Sequence, residues 1–82
     1  MDKINDWNRY RAYIKNALAD MVFIRALLQK QGRFHGPIVA EFNFWYYDLD
    51  RLRSSDPSLE TLEAFNWWGL FDFIHKIGEL SF

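Results

Sequence analysis

From Trp7 to Leu28 the apolar residues fall at Trp7, Tyr10, Ile14, Ala17, Met21, Ile24 and Leu28, with steps of three and four alternating without a break. That is helical periodicity, close to a heptad seam. Neither Pro nor Gly interrupts it before Gly32, a residue suited to closing a helix. The spacing predicts one helix over about residues 4–31, roughly 40 Å long at about 1.5 Å per residue. In a chain of 82 residues such a rod is the spine against which the rest must pack. The stretch MVFI, residues 21–24, is apolar all round, so the middle of this helix needs cover on more than one side.

Two breaks divide the remainder of the chain. GRFHGP, residues 32–37, places Gly36 before Pro37, a turn whose Pro opens the next helix. Ile38, Phe42, Trp45, Leu49 and Leu52 then repeat at four, three, four and three, which predicts a second helix over about residues 37–53. IVAEFNFWYY has the composition of a strand, but no other segment offers it a partner strand. SSDPS is the second break: Asp56 and Pro57 predict the start of a third helix over about residues 57–77, with Gly78 to close it. The expected fold is all-α, one domain over residues 1–82, a small antiparallel three-helix arrangement with a long first helix and a core open to completion by dimerisation.

Large apolar and aromatic residues (Val, Ile, Leu, Met, Phe, Trp and Tyr) number 35 of the 82, more than so small a core can enclose. On the second helix Phe42 and Trp45 lie on the core stripe, whereas Phe44, Tyr46 and Tyr47 lie off it. On the third the stripe passes through Leu59, Leu62, Leu70, Ile74, Ile77 and Leu80, and Phe65, Trp68 and Phe71 fall to its side or back. Phe23 does the same on the first helix. These seven residues, Phe23, Phe44, Tyr46, Tyr47, Phe65, Trp68 and Phe71, are the candidate interface, because aromatic side chains dominate binding hot spots.

The net charge of −1 is a poor start for nucleic-acid binding, which rests on many phosphate contacts. Charge is uneven along the chain: residues 1–33 carry seven Lys and Arg against three Asp, and residues 34–82 carry three against eight Asp and Glu. The simplest use of this asymmetry is pairing of the first helix with the acidic remainder. The alternative is that Arg9, Arg11, Lys15 and Arg25 meet an acidic partner, a nucleotide or another anion bound by an oligomer. Glu63 projects near the apolar stripe of the third helix, where it either lies beyond the core or meets Arg11 or Arg25.

Without cysteine, disulfide scaffolds and thiolate metal sites are excluded. His35 and His75 are the two histidines, and Asp72 lies three residues before His75, near enough on a helix to orient it. No nucleophile accompanies them, and the carboxylates Glu41, Asp48, Asp50, Glu60 and Glu63 have no metal-ligand pattern beyond the acids expected at a helix start. The four glycines form no phosphate loop. No catalytic residue, metal or cofactor is expected. The polar MDKINDWNRY start lacks the apolar segment of a secretory signal, and a cytoplasmic location is the expectation.

GLFDFIHKIGE, residues 69–79, resembles the aurein family of amphibian membrane-active peptides, which begin GLFDIIKKIAE. The likeness covers one helix and implies surface binding to a membrane through an amphipathic C-terminal segment; His75 stands where the peptides have a lysine. The residues as a whole favour a non-catalytic protein-binding module acting on itself, as a homodimer, or on a protein partner. By size and style it is similar to inhibitors and adaptors of phages and mobile elements, anti-defence proteins among them.

Overall fold

The structure, a computed structural model, describes residues 3–82, and it is helical throughout, with no strand among them. Four helices occur in order: α1 (Lys3–Lys30), α2 (Pro37–Ser54), α3 (Leu59–Ala64) and α4 (Trp67–Leu80). Helix α1 is the spine. Its 28 residues span about 42 Å, close to the 45 Å long axis of a molecule only 19 by 18 Å across. Each of the other helices packs against it.

Helix α1 ends where Gly32 takes φ +71°, a conformation that only glycine adopts without strain. The Gly32 amide donates to the Gln29 carbonyl at 3.1 Å and the Arg33 amide to the Leu28 carbonyl at 2.8 Å. This paired arrangement is a Schellman motif, and it satisfies two carbonyls the helix end would leave open. Gly36 also has positive φ, and Pro37 opens α2 as its spacing predicts.

The turn at residues 31–36 also caps the far end of α4. Gln31 Nε2 donates to the Ser81 carbonyl at 2.7 Å, and an Arg33 guanidinium nitrogen donates to the Leu80 carbonyl at 2.8 Å. At the opposite end Trp7 Nε1 donates to the Pro57 carbonyl at 3.0 Å, tying α1 to the α2–α3 connection. Both ends of the long helix are therefore fastened to distant segments of chain.

The predicted third helix is in fact two. Asp56 takes φ +50° in the turn, a position that Asp tolerates, so it does not cap the helix. Ser58 is the cap instead, its hydroxyl accepting from the Thr61 amide at 3.2 Å. Helix α3 ends after six residues, at Ala64. Asn66 then caps α4, accepting from the Gly69 amide at 3.0 Å, while Trp67 Nε1 donates to the Leu62 carbonyl at 2.7 Å. The indole thus occupies an acceptor that a continuous helix would have used internally. Gly78, expected as the terminator, lies inside α4, which continues to Leu80.

The core joins all four helices: Ile14, Ala17, Leu18, Met21 and Leu28 of α1, Phe42, Leu49 and Leu52 of α2, Leu62 of α3, and Leu70, Phe73 and Ile77 of α4. Each large apolar side chain fully buried there contributes about 1.5–3 kcal/mol relative to exposure. Phe73, absent from the apolar stripe that periodicity draws on this segment, is a core residue in the structure.

Candidate functional site: two aromatic surfaces

The seven candidate interface residues divide into three groups. Tyr46 and Phe65 are half-buried and pack against the core, Tyr46 stacked on Phe42 with centroids 5.7 Å apart. Phe44 and Tyr47 are well exposed on the outer flank of α2, at 63% and 69%. Trp68, Phe71 and Phe23 are exposed on α4 and α1, Trp68 most of all at 85%. Periodicity misses Tyr13 and Phe82: Tyr13 belongs by spacing to neither the seam nor its opposite face, and Phe82 lies beyond the end of α4.

Many of the aromatics form one connected belt. Phe44 meets Trp45 edge to face at 5.3 Å, and Trp45 meets Phe65 at 6.2 Å. Phe65 lies 4.8 Å from Trp67, which stacks on Tyr10 at 5.6 Å. Phe71 and Tyr13 close the belt at 6.3 Å. These edge-to-face and offset geometries are the favourable ones for aromatic quadrupoles, each worth about 0.5–1.5 kcal/mol beyond burial. The belt runs from α2 through the α3–α4 corner to α1, so part of the aromatic content is structural. Its ends are the two exposed surfaces.

The first surface is the outer side of α2. Ala40, Phe44, Tyr47, Arg51 and Ser54 repeat at four, three, four and three on a face turned away from the core. An Arg51 guanidinium nitrogen donates to Asp48 Oδ1 at 2.6 Å, and Arg53 pairs with Asp50. The second surface is a groove of about 320 Å³ between α1 and α4, walled by Tyr13 and Phe71, floored by Ala17 and Ile74, and edged by Asn16, Asp20 and His75.

Among the described residues, the basic residues of α1 do not pair with the acidic remainder. Among the described residues Arg9 meets Asp6 on its own helix at 3.8 Å, and the one ion pair between helices is Lys76 with Glu41 at 3.9 Å. Arg11 lies over the Trp7 ring at 4.5 Å, and Arg25 lies over Phe42 and Tyr46 at 5.3 and 5.8 Å. Lys15 is exposed. The three arginines thus meet separate neighbours, and aromatic faces take the place of Glu63 beside Arg11 and Arg25. His75 pairs with Glu79 at 2.9 Å and not with Asp72. Among the described residues no group of three or more His, Asp or Glu is placed to hold a metal ion, and no helix is long and apolar enough to cross a membrane.

The chain matches no protein-family model, and neither a curated protein nor a solved structure is significantly similar to it.

Proposed function

We propose that this protein is a non-catalytic protein-binding module that works through the exposed aromatic residues of α2 and α4, as an inhibitor or adaptor does by covering or bridging a partner. The observation that carries this reading is Trp68, 85% exposed on α4 while Leu70, Phe73 and Ile77 already fill the core side of the same helix. Large aromatic side chains left in water without a packing role are what binding surfaces use. The outer stripe of α2 suits self-association, its aromatics Phe44 and Tyr47 flanked by small Ala40 and the Arg51–Asp48 pair. In the same reading the helices form three antiparallel limbs, α3 and α4 sharing the last, and a second copy covers α2. A protein partner is favoured over an anionic membrane because exposed Asp72 and Glu79 share α4 with Trp68, and lipid phosphates repel carboxylates.

The test combines Phe44→Ala, Tyr47→Ala and Trp68→Ala, measures helicity by circular dichroism, and follows self-association and partner capture by light scattering and affinity chromatography. Retained helicity with lost association is the expected result. A triple variant that keeps every interaction of the parent refutes the reading, as does binding to anionic vesicles with no protein contact.

A further inference from the structure

We infer that the groove between α1 and α4 receives an amphipathic helix of a partner protein, one that carries basic side chains beside its apolar face. This rests on the protein-binding reading and names the site and the chemistry of its occupant.

Three observations converge on it. The first is shape. Helices α1 and α4 run alongside each other in register, with Trp67 stacked on Tyr10, Phe71 beside Tyr13, and Ile24 3.8 Å from where a side chain on Gly78 would begin. Small Ala17 leaves the furrow between them. From Tyr13 to Asp20 it extends about 10 Å, two helical turns, the length over which a docked helix sets anchors at i, i+3, i+4 and i+7.

The second is surface character. The floor is apolar, Ala17 and Ile74, and the walls are the half-exposed rings of Tyr13 and Phe71. Aromatic walls hold both an apolar anchor and the methylene stem of a lysine or arginine.

The third is charge. Asp20 stands on the α1 edge with no ion-pair partner among the described residues, since the ion pairs of this molecule all involve other carboxylates. Across the groove His75 is engaged by Glu79, which adds a second carboxylate to that rim. The rim is therefore short of positive charge, and a cationic side chain at the Asp20 end of the groove would meet an unpaired carboxylate. A second copy of this chain supplies such a helix poorly. The apolar seam of α1 is spent in its own core, and the arginines on α2 are held by Asp48 and Asp50.

The test uses two synthetic amphipathic peptides of about 14 residues with the same leucine face, one with lysines and one with glutamates on the flanks. Binding to the whole protein is measured by calorimetry, and circular dichroism checks the fold of every variant. The lysine peptide is expected to bind at least about tenfold more tightly than the glutamate peptide. Asp20→Lys is expected to abolish that preference, Phe71→Ala to weaken the lysine peptide about tenfold, and Tyr47→Ala on α2 to leave it unchanged. Equal binding of both peptides, or no binding of either, overturns the proposal. Loss with Tyr47→Ala but not with Asp20→Lys also overturns it, while leaving the protein-binding reading intact. A dimer of the protein alone that dissociates on Asp20→Lys assigns the groove to a second copy and overturns the partner helix.

Discussion

Alanine for glycine in a helix ordinarily stabilises, by about 1 kcal/mol in an exposed interior. Helix α4 contains two glycines, and the structure assigns the two substitutions opposite signs. A Cβ on Gly78 would meet only Ile24 Cδ1, at 3.8 Å, an ordinary van der Waals contact. Gly78→Ala should therefore gain about 0.5–1 kcal/mol, from lower chain entropy in the unfolded state. A Cβ on Gly69 would lie 2.5 Å from Asn66 Nδ2 and 3.0 Å from Trp45 Cη2. The Asn66 side chain would have to rotate away, abandoning its hydrogen bond to the Gly69 amide, and losing an N-cap costs about 1 kcal/mol. That alone cancels the propensity gain. Trp45 would also have to shift within the aromatic belt, where overpacking costs about 1–3 kcal/mol. Gly69→Ala should therefore lose about 1–3 kcal/mol. In a domain of this size each kcal/mol moves the melting temperature by about 4–8 °C, so melts monitored by circular dichroism should separate the two variants by roughly 10 °C. Placing Gly69→Ala on an Asn66→Ala background removes the cap from both sides of the comparison and leaves the Trp45 contact alone. Stabilisation by both single substitutions would refute the reasoning, because it would mean that Trp45 and Asn66 do not press on Gly69.

Three other substitutions probe the core, the surface and the tie at the end of α1. Ile14→Asp buries an unpaired carboxylate at a position only 2% exposed, costs several kcal/mol, and should reduce helicity and solubility. Trp68→Ala should leave the melting temperature nearly unchanged but weaken association by roughly 2 kcal/mol, about thirtyfold, as measured by light scattering or partner titration; unfolding would instead assign Trp68 to the core. Trp7→Phe removes the hydrogen bond to the Pro57 carbonyl and should lower stability by about 1 kcal/mol in denaturant titration.

Helix periodicity is a sound guide where one residue pattern serves one face. The seam from Trp7 to Leu28 predicts α1, and Ile14, Ala17, Met21 and Leu28 are indeed buried. Gly32 and Pro37 act as terminator and initiator because their backbone constraints are intrinsic to the residues. Periodicity merges α3 and α4 into one helix because the apolar spacing continues across a break made by hydrogen bonds. Asn66 is the available signal, a strong N-cap residue three positions before Gly69, but it lies among apolar residues that extend the stripe on either side. The charge asymmetry is visible in the sequence, but its use is not: a guanidinium placed over an aromatic ring leaves no trace in a count of acids and bases.

The aromatic surplus has two explanations that divide by position. Trp45, Phe65, Trp67 and Tyr10 hold the corner where α3 and α4 break, a place where a chain of ordinary aliphatic residues would leave the shortest helix poorly anchored. Helix α3 has only six residues, too few to stand alone, and its stability comes from packing Leu62 into the core and from the Trp67 hydrogen bond to the Leu62 carbonyl. Rings bridge that gap because each reaches two neighbours at once. The same belt delivers Phe44 at one end and Tyr13 and Phe71 at the other to the surface, each braced from behind by another ring. A braced ring gives up little conformational freedom when a partner covers it, so rigidity built for the corner also lowers the entropic cost of binding at the surfaces.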